Sequence, residues 1–117
     1  MGDANLFHGR RSGGVVTLDL GPCFPNTGPD GDVLVVVRPE AMTIGVEAGE
    51  HQLAVGGRLV DIVFMGSHVR HTVALATGDT IIVNDGSNRS RSDLRPGMEV
   101  KVAWNPSEQA VLAGRHD

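Results

Sequence analysis

The sequence predicts an all-β protein, and three observations carry this prediction. Apolar residues recur at every second position in one segment after another, which is the period of a strand with one buried and one exposed face. No segment shows the 3.6-residue apolar stripe of an amphipathic helix. The 117 residues include 16 glycines and 6 prolines, which interrupt the chain every few residues and suit short strands joined by turns. We therefore expect a small barrel or sandwich of short antiparallel strands.

The first half of the chain contains three predicted strands. Alternating apolar residues predict half-buried strands over 16–20 and 42–46. The run of four valines and one leucine over 33–37 has no alternation, so it predicts a strand covered on both faces, and Pro39 is expected to turn the chain out of the sheet. Segment 21–32, which is rich in proline and glycine, is predicted to be an irregular crossover.

The second half of the chain is predicted to be built from hairpins. Segments 58–65 and 68–76 flank Gly66 and Ser67 and are expected to pair. A two-residue turn centred on Gly78–Asp79 is expected to lead into the next strand, and a polar loop then precedes a strand that ends at Trp104. Side-chain parity predicts an interior formed by Val60, Ile62, Phe64, Val73, Leu75, Val100, Val102 and Trp104.

Composition limits the class of protein. With 117 residues, the whole chain (1–117) is expected to form one domain that buries about two-thirds of its unfolded surface without disulfides or metal. Cys23 is the only cysteine, which fits a reducing, cytoplasmic compartment, and it is predicted to be a small buried side chain. No signal peptide or membrane-spanning run is apparent. The formal charge of −4 gives no general attraction to nucleic acid or anionic lipid.

No catalytic, cofactor-binding or metal-binding residue is predicted. Residues 9–14 are rich in glycine and arginine but lack the lysine and the following helix of a phosphate-binding P-loop. His68 and His71 are three positions apart, which in a strand places the two imidazoles on opposite faces, where they cannot share one ion. His71 has the parity of the apolar positions around it and is expected to be a histidine at the barrel rim, bonded through one ring nitrogen.

Three motifs, taken in order, resemble a known family. They are Val35–Glu40 (VVVRPE), Gly57–Gly66 (GRLVDIVFMG) and Leu94–Trp104 (LRPGMEVKVAW). This series resembles the transport-associated OB-type (TOBE) domain at the C-terminus of ATPase subunits of ABC importers. The polyamine (spermidine/putrescine) type is nearest and the ferric-iron type next. Residues 2–7 are similar to the start of that domain, and residues 103–112 to its closing hairpin.

The resemblance implies an OB-like fold and an accessory, regulatory and dimerising role in the ATP-binding subunit of an importer. It implies contacts with the subunit's own nucleotide-binding domain, with a second copy of the subunit and, indirectly, with membrane permease subunits. ATP and magnesium would be held by the upstream domain, not by this segment, and the complex would lie at the inner face of the cell membrane. The residues expected to make domain or dimer contacts are Arg38, Glu40, Gly66, His68 and Arg70.

Two alternatives stay open at this point. Arg38 and Glu40 are two positions apart and could share a face in extended backbone, so they could hold a partner or form a purely structural salt-linked corner. The whole chain could instead be a stand-alone OB-type module that binds a small solute, an oxyanion or an oligonucleotide. Arg89, Arg91 and Arg95 favour the oligonucleotide version, but the acidic balance and the scarcity of aromatic side chains oppose it.

Overall fold

The computed structural model describes residues 4–45, 49–86 and 93–114, and these form two five-stranded antiparallel sheets. The first sheet has the strand order β10-β4-β1-β2-β3, and the second has the order β5-β9-β6-β7-β8. The edge strands β5 and β8 pack against each other, so the second sheet curls into a nearly closed barrel. This architecture confirms the all-β, OB-like prediction. The strands are β1 Asn5–Ser12, β2 Val15–Leu18, β3 Cys23–Pro25, β4 Gly31–Val37, β5 Met42–Ile44, β6 Leu53–Phe64, β7 Val69–Leu75, β8 Thr80–Asp85, β9 Glu99–Trp104 and β10 Gln109–Ala113.

Two proline corners carry the chain between the sheets. A 3₁₀ turn at Pro39–Ala41 leads from β4 in the first sheet to β5 in the second, so Pro39 does end its strand as predicted. A second 3₁₀ turn at Pro106–Glu108 leads from β9 in the second sheet to β10 in the first. The prediction that residues 103–112 form a hairpin is therefore wrong, because β10 pairs with β4 and not with β9.

One apolar core fills the space between the two sheets. Phe7 of β1 stacks on Trp104 of β9, with ring centroids 4.8 Å apart and an interplanar angle of 10°. Side chains from both sheets join this stack in a single buried cluster. The predicted burial of five residues is confirmed: Val73, Leu75, Val100, Val102 and Trp104.

A β-bulge in β6 overturns the interior prediction for Val60. Leu59 pairs with Val73, but the next pair is Asp61 with Thr72, so Val60 is the extra residue. An extra residue reverses the alternation of side chains along the strand. Leu59, which was not predicted to be inside, is fully buried, while Val60 is 49% exposed. After the bulge Ile62 packs against the core, but Phe64 lies at the end of the hairpin and is 60% exposed.

Three local predictions in the first sheet need correction. Only the inner face of β4 is fully buried, because Leu34 and Val36 on its outer face remain partly exposed. The segment 21–32 is not wholly irregular, since Phe24 is buried and anchors the short strand β3 beside β2. Its neighbour Cys23 therefore points outward and is exposed, contrary to the predicted burial.

The turn between β7 and β8 uses the predicted glycine in a different position. The Gly78 amide donates to the Leu75 carbonyl at 3.0 Å, and the Leu75 amide donates to the Asp79 carbonyl at 2.8 Å. Gly78 is thus the last residue of a four-residue turn, with a φ of 95°. The hairpin and the positive φ were predicted correctly, but the loop is longer than two residues.

Asn5 joins the two sheets through a buried amide. Its side-chain nitrogen donates to the Ile82 carbonyl at 2.7 Å, and its side-chain oxygen accepts from the Ile82 amide at 2.8 Å. The side chain is buried, and it satisfies both backbone groups of an edge-strand residue as a neighbouring strand would. In the part of the chain that the structure describes, no helix has the length and apolar character needed to cross a membrane.

Leu59→Ala is expected to lower the free energy of unfolding by about 2–4 kcal/mol, because it removes a fully buried side chain next to the bulge. Val60→Ala is expected to cost less than about 1 kcal/mol, because its side chain is half exposed. Urea titrations of both variants measure the difference. Similar losses for the two variants would contradict the bulge.

Asn5→Ala is expected to cost about 1–3 kcal/mol, because two buried backbone groups of Ile82 lose their partners. Asn105→Ala provides the matched control, since Asn105 is exposed and its side chain makes no capping hydrogen bond. We expect the control to stay within about 0.5 kcal/mol of the parent protein in the same titration. A control as unstable as Asn5→Ala would argue against the role of the buried amide.

Candidate interaction surface

The tip of the β6–β7 hairpin presents a cluster of exposed apolar side chains. Val63, Phe64 and Met65 are each at least 40% exposed. The Met65 amide donates to the His68 carbonyl at 2.8 Å, which closes a two-residue turn on Gly66 and Ser67. Large apolar side chains gathered on an exposed hairpin are typical of protein-contact surfaces. We call residues 63–68 the hairpin tip.

Gly66 is required by the geometry of this turn. Its φ is 91°, a backbone conformation that glycine adopts readily and that residues with a Cβ rarely adopt. Ser67 Oγ and His68 Nδ1 lie 3.1 Å apart, which holds the imidazole against the turn. Two of the predicted contact residues, Gly66 and His68, therefore belong to the hairpin tip.

The Arg38–Pro39–Glu40 corner holds two other predicted contact residues. Pro39 is buried and fixes the corner, while Arg38 and Glu40 are exposed on either side of it. Arg38 is extended and Glu40 lies in the 3₁₀ turn, so the two side chains do not share one face of a strand as the sequence suggested. Among the described residues, neither takes part in an ion pair, which excludes the salt-linked corner within that part of the chain.

A pocket connects this corner to the end of β8. It has a volume of about 260 Å³ and lies where β5 and β8 face each other without pairing. Glu40 lines one side, and Asn84 and Asp85 line the other. Asn84 Oδ1 is buried and has no hydrogen-bond partner in the described structure. The pocket is therefore rich in hydrogen-bond acceptors.

The strand register places Arg70 between the hairpin tip and the pocket at the end of β8. Arg70 pairs with Asn84, and the adjacent Val69 pairs with Asp85. The hairpin tip and the proline corner thus both approach the end of β8, which brings Glu40, Gly66, His68 and Arg70 towards one end of the second sheet. Arg38 is the exception in detail, because it is not among the residues that line the pocket.

The structure shows the surroundings of His71 and of the other side chains that could bind a metal ion. His71 is buried, and its Nδ1 lies 3.2 Å from the Val83 carbonyl. Bonding through one ring nitrogen is what the sequence predicted, but His71 is fully buried, whereas a place at the barrel rim was expected. Across residues 4–45, 49–86 and 93–114, no group of three or more His, Cys, Asp or Glu side chains could hold a metal ion. Arg89 and Arg91 of the predicted basic patch lie outside the described residues.

Three residues that shape this surface were not predicted from the sequence. Phe64 was assigned to the core, and its place at the end of β6, beside the hairpin turn, explains its exposure. Met65 was given no role, although it directly precedes the predicted glycine turn. Asn84 follows the apolar run of β8, and nothing in its position along the sequence signals an unpaired buried oxygen.

Comparison with known proteins identifies the relatives of this chain. Residues 35–112 match the family model described as the TOBE domain. The chain is 33% identical over 109 residues to the spermidine/putrescine import ATP-binding protein PotA of Frankia alni, covering 83% of this chain and 23% of that protein. It is 30% identical over 83 residues to the PotA protein of Rubrobacter xylanophilus, covering 71% of this chain and 21% of that protein. The chain thus spans less than a quarter of the length of either relative.

Among solved structures, the molybdate-bound form of the cytoplasmic molybdate-binding protein ModG has a similar fold. The TM-score is 0.70, and the superposition covers 94% of this chain and 96% of that chain. Sequence identity is 15%, so the likeness concerns the arrangement of strands.

Gly66→Ala is expected to cost about 1–2 kcal/mol of folding free energy, because a side chain at a φ of 91° is strained. Gly86→Ala is the control, since Gly86 has no positive φ and a Cβ there meets no atom within 4 Å. Urea titration is the measurement. Equal free energies of unfolding for the two variants would contradict the requirement for glycine at position 66.

Proposed function

Because this chain belongs to the TOBE domain family, we propose that it is an accessory and dimerisation domain of the ATP-binding subunit of an ABC importer. The transported solute would be a polyamine or a similar small molecule. The observation that carries this proposal is the match to two import ATP-binding proteins across most of the chain. Such a role places the protein in the cytoplasm, at the inner face of the membrane, through its complex.

The chemistry of the surface supports a contact role without catalysis. The hairpin tip offers apolar side chains, and the proline corner offers Arg38 and Glu40, which have opposite charge. Apolar anchors with a charged rim are the usual composition of protein interfaces. The sequence contains no P-loop, so ATP and magnesium would be bound by the nucleotide-binding domain of the subunit.

In this proposal the domain works by conformational coupling. It packs on its own nucleotide-binding domain and on a second copy of the subunit, and it stabilises the ATPase pair. The permease subunits are indirect partners, and nucleic acid is not one. The binding free energy from several modest contacts adds when they are joined in one complex, so each contact alone is expected to be weak.

A graft tests this role. The matched segment of the Frankia alni relative is replaced by this chain, and ATP hydrolysis and subunit dimerisation are compared with those of the protein truncated before that segment. We expect the graft to restore the dimerisation and the hydrolysis rate that truncation changes. The isolated 117-residue chain is expected to hydrolyse no ATP.

A double variant of the graft, Phe64→Ser with Met65→Ser, provides the control. Both side chains are exposed, so the variant should fold normally and still lose part of the restored activity. A graft that behaves like the truncated protein would contradict the proposal. Titration of the isolated chain with molybdate, spermidine and single-stranded DNA tests the stand-alone binding module, and tight binding of any of them would favour that alternative.

A further inference from the structure

Edge strands differ in how well their unpaired backbone groups are shielded from pairing with another strand. In the described sheets, one edge strand has no such shielding. A strand at the edge of a sheet presents unpaired N–H and C=O groups, and proteins usually block them with prolines, charges, bulges or covering segments. The described sheets have four edge strands: β3, β5, β8 and β10. Comparison of these four shows which edge is available to a partner.

Three of the four edges are blocked. β3 has only three residues and ends in Pro25, which has no backbone N–H. β8 is occupied by the side chain of Asn5, which takes both the N–H and the C=O of Ile82. β5 also has three residues and packs against β8 across the barrel seam.

β10 has none of these protections. Its five residues, Gln109–Ala113, include no proline and no charged side chain. It pairs with β4 in an unbroken register, so no bulge twists it away. The Gly114 amide continues this ladder by donating to the Asp32 carbonyl at 2.7 Å. An uncharged edge strand with an unbroken register is the kind that pairs with another strand.

The ladder shows which backbone groups of β10 are free. Because Gly114 points its amide at β4, alternation directs Ala110 and Leu112 to β4 as well. Val111 and Ala113 therefore direct their N–H and C=O groups to the open edge. In the described structure, Gln109 offers only its carbonyl there, because its amide already donates to the Pro106 carbonyl.

We propose that β10 is the dimerisation edge of this chain and pairs antiparallel with β10 of a second copy, around a two-fold axis that passes by Val111. An antiparallel pair of identical strands has this symmetry by construction. Centring on Val111 lets its N–H and C=O bond to the same residue of the partner copy. With Ala113 opposite Gln109, the pairing forms about four backbone hydrogen bonds between the chains. The inference rests on the self-association in the proposed function and names the surface responsible for it.

The outer side chains fit the same register. Leu112 of one copy would stand opposite Ala110 of the other, in a pair without hydrogen bonds, where side chains approach closely. A large and a small apolar residue thus face each other twice across the axis. On each side the pair continues into the row of Leu34 and Val36 on β4, which are only partly buried in the single chain. The two outer apolar faces would become one surface.

The expected dimer is weak. One pair of five-residue strands buries less than the roughly 1,200 Å² of a standard stable interface. We therefore expect a dissociation constant on the order of 0.1–1 mM for the isolated chain. In a longer subunit that makes other contacts as well, two copies would pair through β10 at a lower protein concentration.

Amide hydrogen exchange at low and high protein concentration gives the sharpest test. The amides of Val111 and Ala113 are expected to become protected severalfold as concentration rises. Those of Ala110 and Leu112, which already bond to β4, should not change. This alternation within one strand identifies edge pairing. A dimer that leaves Val111 and Ala113 unprotected would overturn the edge assignment while leaving the proposed self-association intact.

Matched variants separate edge pairing from packing of the outer faces. Leu112→Lys places a charge on the edge strand and is expected to weaken dimerisation at least about tenfold in sedimentation experiments. Leu6→Lys makes the same change at a residue of similar exposure, 48% against 51%, but on β1, two strands from the edge. It should leave dimerisation within about twofold of the parent. Equal weakening by both variants would show that the faces pack, and would overturn the proposal.

Ala113→Pro removes one of the free edge amides without touching the ladder to β4. It is also expected to weaken the dimer about tenfold, and its unfolding curve checks that the fold is intact. A strictly monomeric parent chain at about 1 mM would overturn both the edge assignment and the self-association. The accessory role would then be judged by the graft experiment alone.

Discussion

The contact between the two sheets is the constraint on which the rest of this structure depends. Phe7 stacks on Trp104 across the interior, and the Trp104 indole nitrogen donates to Gln109 Oε1 at 2.9 Å, back in the first sheet. Two residues before Phe7 in β1, Asn5 closes the edge of β8. Apolar burial and buried hydrogen bonds thus act at the same junction.

The sequence predicted the fold class because β-structure leaves a local signal. Alternation identified β2, β5, β7 and β9, and the Gly66–Ser67 turn identified the β6–β7 hairpin. Two features had no local signal. The bulge at Val60 depends on the pairing partner, which parity along one strand does not reveal. The pairing of β10 with β4 joins residues that are 72 to 80 positions apart, from Gln109 with Val37 to Ala113 with Val33, whereas strands that are neighbours in sequence usually pair as a hairpin. β1 was not predicted as a strand, because glycine and two arginines interrupt its apolar pattern.

The sequence predicted where the candidate surface lies better than it predicted which side chains are exposed there. Glycine and proline mark places where the backbone must turn, so Gly66 and the Arg38–Pro39–Glu40 corner could be selected from the sequence alone. Their approach towards the end of β8 is a tertiary fact, and so is the exposure of Phe64. A similar fold in ModG adds nothing to these residues, since the arrangement of strands is shared by proteins with different tasks. The matched family segment, residues 35–112, contains both of these places.

The two proline corners have a consequence for how the molecule holds together. Each sheet contains a strand that directly follows a strand of the other sheet in the chain. β5 of the second sheet follows β4 of the first, and β10 of the first sheet follows β9 of the second. This is a strand exchange within one chain. Pulling the sheets apart would strip β10 from β4 and β5 from β9 together, so neither half can melt while the other stays native. The protein should therefore unfold in a single cooperative step, with no stable half-barrel intermediate. The matched family segment begins at residue 35, within β4, and a fragment cut there would lose Phe7 and the strands that complete the core.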